Sequence, residues 1–154
     1  MPNPSFEEAT LPSWPDYYRP WYSEPLIGAP DQGWGQDPTN PFEGKFCLRI
    51  TRNKGGYNSF YAYISPQSTH PQRYVFSLYL RGERDGLQVL FGGEAFPWQK
   101  ATLTTTWRRY SVSGVVPPRA DPYNMIQLRL QETGRIWVDA VQMEPGEEPT
   151  ALEN

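Results

Sequence analysis

The sequence predicts an all-β fold, an antiparallel β-sandwich of jelly-roll type, in a single soluble domain spanning residues 1–154. Three observations predict it. Apolar residues recur at every second position in short runs, the period of a strand with one buried face. Seventeen prolines and 13 glycines separate those runs, as turns do. Six Trp, 10 Tyr and 7 Phe supply apolar bulk that a disordered chain lacks. No stretch shows the period of an amphipathic helix. No apolar run approaches the roughly 20 residues that span a bilayer.

In chain order, a short strand opens at residues 5–7. Residues 10–42 then read as one long Pro/Gly/aromatic loop carrying Trp14, Trp21 and Trp34. Loops of that length are usually functional or disordered, and the aromatics argue against disorder. Residues 45–52 alternate Phe46, Leu48 and Ile50 against Cys47, Arg49 and Thr51. The turn Asn53-Lys54-Gly55-Gly56 suggests a hairpin onto residues 58–64, where Phe60, Ala62 and Ile64 oppose Ser59, Tyr61 and Tyr63. After a loop holding His70, residues 73–81 form the cleanest strand, Tyr74, Phe76, Leu78 and Leu80 against Val75, Ser77, Tyr79 and Arg81. Residues 87–91 return after a charged turn, and a loop from Gly92 to Trp98 leads into 101–105. Strands follow at 107–116, ended by Pro117-Pro118, at 125–131 and at 135–143, and residues 144–154 are a polar tail.

The chemistry available is that of binding rather than catalysis. A net charge of −3 argues against a nucleic-acid partner. One cysteine, Cys47, allows no intrachain disulfide. One histidine, His70, stands in a loop without a nucleophile elbow, so neither a Ser-His-Asp set nor a closed zinc site is readable. Gly92-Gly93-Glu94 lacks the lysine and spacing of a phosphate-binding loop, and no carboxylate pair marks a glycoside-cleaving centre. The first residues carry no basic and apolar leader. The expectation is a chain used without secretion, or an extracellular module belonging to a longer secreted protein.

Three segments carry a resemblance: Asn3-Pro4-Ser5-Phe6-Glu7 at the start, Gly44-Lys45-Phe46-Cys47-Leu48 in the middle, and Ile136-Trp137-Val138-Asp139-Ala140-Val141-Gln142-Met143-Glu144 in the last strand. Their order resembles the β-jelly-roll carbohydrate-binding modules of families four, nine and twenty-two, within the galactose-binding-like group. Phage tail and fibre domains of this fold have similar closing strands. The resemblance implies a structural calcium ion where first and last strands meet, held by Glu7 and Asp139 with backbone carbonyls of Gly44 and Lys45. The alternative is that both acids cap turns or pair with Arg or Lys.

If the apolar sets face the core, the opposite sets collect on outer faces: Tyr61, Tyr63, Tyr79, Arg81, Gln88, Gln127, Arg129 and Gln131. Aromatic rings stack on sugar faces while Gln and Arg bond hydroxyls, so these residues are the expected ligand-binding set, on a concave sheet face. The loop residues Trp14, Trp21, Trp34 and Trp98 form a second candidate, as rims of a pocket. The leading expectation is a non-catalytic module recognising a polysaccharide or cell-surface glycan. Its rival is a virion structural domain acting through contacts with other virion subunits or as a homo-oligomer.

Overall fold

Residues 19–22, 33–52, 58–64, 70–93, 95–117, 124–130 and 132–150 are described by the structure, a computed structural model. For 19–22, 33–35, 58–64 and 124–125 the description covers the backbone alone. The ten strands are β1 (Arg19–Tyr22), β2 (Gly33–Asp37), β3 (Cys47–Arg52), β4 (Asn58–Ile64), β5 (Gln72–Gly82), β6 (Gln88–Gly93), β7 (Gln99–Thr102), β8 (Arg108–Val116), β9 (Asn124–Leu130) and β10 (Gly134–Pro145). They form two five-stranded sheets, ordered β1-β4-β9-β6-β7 (sheet I) and β2-β3-β10-β5-β8 (sheet II). All the strand pairs are antiparallel. From β3 to β6 and from β7 to β10, successive strands alternate between the layers, the wrapping of a jelly roll. No helix among the described residues is long and apolar enough to cross a membrane.

The period-2 stripes meet between the sheets. Leu48, Ile50, Phe76, Leu78, Leu80, Ile136 and Val138 from sheet II face Val89, Phe91, Ile126, Leu128 and Leu130 from sheet I. Phe76 meets Phe91 edge-on at 6.0 Å, the geometry that aligns a ring's positive edge with a negative face.

Two expectations are corrected. The stretch 10–42 holds strands β1 and β2, so Trp21 and Trp34 stand on strands. Neither strand has an apolar alternation to betray it. Both are sheet edges, where a residue such as Pro20, with no N–H to donate, is tolerated. The hairpin expected between residues 45 and 64 does not form: β3 pairs β2 and β10, while β4 pairs β1 and β9. An Asn-Lys-Gly-Gly turn reverses the chain without specifying whether the returning strand pairs with its predecessor or crosses to the other layer. The strand expected at 5–7 and the residues Glu7, Trp14 and Gln131 lie outside the described residues.

A short loop after β6 closes one side of the sandwich. Phe96 enters the core, its ring 6.0 Å from Phe76, and its carbonyl accepts the Gly93 N–H at 3.2 Å. The backbone of Ala95 lies directly on β8: a Cβ added at Gly114 would stand 2.0 Å from the Ala95 carbonyl oxygen. Only glycine permits that approach. Gly114→Ala is therefore expected to destabilise the protein by about 1–3 kcal/mol, read as a lowered melting temperature. An unchanged melt would show that this loop does not rest on β8.

Candidate functional site

The outer faces of the two sheets differ in kind. On sheet II the chain covers its own strands. Residues 38–46 cross the face, and Phe42 stacks on Tyr79 with ring centroids 3.7 Å apart and 16° between planes. Trp107 meets Phe42 edge-on and donates its indole N–H to the Asn40 carbonyl at 2.9 Å. The Arg81 guanidinium lies 3.8 Å from the Trp137 ring centroid and donates to the Thr39 carbonyl at 2.8 Å. Asp37 accepts from the Thr39 N–H and the Trp137 indole, and pairs with Arg49 at 3.5 Å. Burial pushes its carboxyl up, but those bonds and the Arg49 charge outweigh it and hold the group below its ordinary value.

The same crossing segment is fastened by Asp139. This carboxylate is wholly buried. Its Oδ2 accepts the backbone N–H groups of Phe42 and Glu43 at 2.9 and 3.1 Å, and its Oδ1 accepts that of Ala140 at 2.8 Å. Burial raises its pKa to about 7, the three amides pulling it down and the nearby Glu43 charge pushing it further up. Gly44, in the left-handed region at φ 64°, and Lys45 follow directly in the chain. Among the described residues no group of three or more His, Cys, Asp or Glu side chains could hold a metal.

The expected ligand set is thus divided between the layers. Tyr79 and Arg81 belong to sheet II, one beneath Phe42 and the other, 8% exposed, beneath the crossing segment. Tyr61, Tyr63, Gln88, Gln127 and Arg129 belong to sheet I. In sheet I, Tyr61 pairs with Gln127 and Gln127 with Gly92, while Ser59 pairs with Arg129 and Arg129 with Leu90. Because the neighbouring Ile126, Leu128, Val89 and Phe91 fill the core, these rows fall on the outer face. Gln88 is half-buried, its backbone N–H donating to Glu132 at 3.1 Å.

Trp98, which the sequence offers as a loop rim, stands over this face near the end of β6. It follows the loop anchored by Phe96 and lies over Gly92, where an added Cβ would come 3.0 Å from its Cα and 3.2 Å from its Cδ2. The missing side chain of Gly92 lets Trp98 come this close to the sheet. Trp98 stays 42% exposed, with the Arg129 guanidinium 4.8 Å from its ring. Arg129 also donates to the Oε1 of Gln127, itself fully buried, at a long 3.5 Å. A partly exposed indole with a guanidinium over its ring is an aromatic surface with a hydrogen-bond donor next to it. The readable signal was Gly92-Gly93 six residues before a Trp. Lys100, exposed on β7 and paired with Leu90, was missed, since a lone Lys on a short edge strand has the look of ordinary surface.

No family model matches the chain, and no curated protein does. Among solved structures it is similar to the carbohydrate-binding module TmCBM61, determined with β-1,4-galactotriose. That likeness has a TM-score of 0.72 at 11% identity and covers 95% of this chain and 97% of that one. It is similar to a CBM4 module, with a TM-score of 0.68 at 17% identity, covering 94% and 98%. It is also similar to part of tailspike protein 4 of bacteriophage CBA120, with a TM-score of 0.63 at 11% identity, covering 85% of this chain and 20% of that one. The shared property is the fold, the β-sandwich of carbohydrate-binding modules.

The support under Trp98 is testable without any ligand. In Gly92→Ala the added methyl would meet Trp98 backbone, so the indole is expected to lift from the sheet. Its near-UV circular dichroism should weaken and its emission shift to the red. A spectrum identical to the parent's would mean that the ring does not rest on Gly92.

Proposed function

We propose that the chain is a non-catalytic module that holds a polysaccharide on the outer face of sheet I, with the Trp98 indole stacked on a sugar ring. The observation that carries this reading is the placement of Trp98 against Gly92, 42% exposed, with the Arg129 guanidinium over its ring. Arg129 and Gln88, on the strands beside it, would supply partners for sugar hydroxyls, and Tyr61 and Tyr63, at positions of β4 in the same sheet, are the further residues proposed to contact the ligand. The fold shared with modules determined as carbohydrate binders supports the same reading. Such a module would act outside the cell, as part of a secreted protein, on a glycan surface.

Titration with a polysaccharide panel tests it through Trp fluorescence. At least one glycan should quench or shift the emission. Trp98→Ala should weaken binding about tenfold, the loss of one good stack, while Tyr79→Ala, altering the opposite layer, should leave affinity unchanged. Loss in Tyr79→Ala alone would move the site to sheet II.

A calcium ion held by Asp139 and Glu7 with the carbonyls of Gly44 and Lys45 is the second part of the proposal. It is supported by a buried carboxylate whose bonds among the described residues come from backbone amides, with a second acid, Glu43, close by. Asp139 and two carbonyls fall short of the six to eight oxygens calcium takes, so Glu7 and water would have to complete the shell. A chelator should then lower the melting temperature, calcium at a hundredfold excess over its Kd being worth about 2.7 kcal/mol. A melt indifferent to chelator disposes of the ion.

The tailspike likeness favours one other reading, a virion component acting through other subunits. A stable trimer in solution with no response to any glycan would select it.

A further inference from the structure

The charge on sheet I is one-sided. None of its five strands carries an Asp or Glu, although the chain has 17 acids against 14 Lys and Arg. By register the charged positions of its outer face are Arg19, Arg129 and Lys100. Arg129 pairs with Leu90 and Leu90 with Lys100. The two cations therefore stand in one row, about 10 Å apart at ordinary strand spacing. Arg19 pairs with Tyr61, in the row that passes through Gln127 to Gly92 beneath Trp98. Glu132, just past β9, is tied to the Gln88 backbone at the margin. Sheet II is different: its strands include Asp37, Asp139 and Glu144, and Asp37 pairs with Arg49 within the layer.

Resting on the reading of sheet I as a glycan face, we infer that its ligand is a polysaccharide bearing carboxylates, a polyuronate. A neutral glycan can use the ring and one Arg as hydroxyl donor, but it gains little from a second cation, Lys100, in line with the first. Guanidinium matches a carboxylate through two parallel N–H bonds, and Lys100, further along the row, offers a point charge to a second acidic sugar. Trp98 beneath would stack on the apolar face of the same chain, so that ring and charge act on one ligand.

The experiment compares polygalacturonate with neutral β-1,4-galactan by calorimetry, at about 0.02 M and about 0.5 M salt, conditions that bracket the screening of exposed charge. Polygalacturonate should bind more tightly at low salt and lose that advantage at high salt. Lys100→Gln, an exposed substitution with the fold checked by its melt, should weaken polygalacturonate binding roughly two- to fivefold at low salt and flatten its salt dependence. Galactan bound as tightly as polygalacturonate, without a salt response, overturns the inference and leaves the glycan reading standing. Dextran sulfate bound more tightly than polygalacturonate overturns the assignment of carboxylate. Silence toward every polysaccharide overturns both readings together.

Discussion

The contact of Phe76 with Phe91 and Phe96 joins the parts on which everything else rests. Phe76 belongs to sheet II, Phe91 to sheet I, and Phe96 to the loop that delivers Trp98. One aromatic cluster thus fixes the separation of the layers and the height at which the indole emerges. Burying three such side chains supplies a large share of local stability, each worth roughly 1.5–3 kcal/mol relative to exposure. A loop anchored by one of them does not have to order itself when a ligand arrives, so less binding energy is lost to ordering.

The two outer faces show how the same kind of residue serves two ends. Sheet II is rich in Arg, Trp and Tyr, yet its polar groups are bonded to the chain itself: Arg81 to Thr39, Trp107 to Asn40, Asp139 to the amides of Phe42 and Glu43. At the other end of that sheet Arg109 bonds Ser77, Gln142 and the Thr150 carbonyl, and Glu144 accepts from the Thr150 N–H and hydroxyl. Polar side chains tied to the backbone in this way restrain a layer. On sheet I Trp98 and Lys100 remain exposed.

The core was legible in the sequence because a strand's period is 2 and each stripe is pure: Phe76, Leu78 and Leu80 are buried as their alternation requires. Strands β1 and β2 were not legible, since edge strands made of Arg-Pro-Trp-Tyr and Gly-Trp-Gly-Gln-Asp bury no repeating face. The alternation also places Tyr79 and Gln127 equally on outer faces, but it is blind to which sheet each strand joins, and that depends on pairing between distant segments. Whether an outer face is covered escapes it too. Arg81 and Val75 stand on the solvent-side stripe of β5 and are buried all the same, Arg81 because the segment carrying Thr39 lies across it. The merit of Trp98 depends on Gly92, six positions earlier, a relation that only the folded backbone reveals.

Strand β10 contains one residue more than its partner β5 can match, the register shifting between Asp139 and Gln142, and Ala140 takes up the difference at φ 50°. Val138 and Val141 both point into the core with Asp139 between them on the outside, so the inside–outside rhythm restarts after the irregularity. Downstream, Gln142 and Glu144 reach Arg109 and Thr150 only because of that restart. Were Ala140 an ordinary paired residue of the strand, the phase would invert: Val141 would turn to water, Glu144 would aim at the hydrocarbon interior, and the end of the chain would lose its mooring. A single unpaired alanine therefore sets the parity of the whole C-terminal edge.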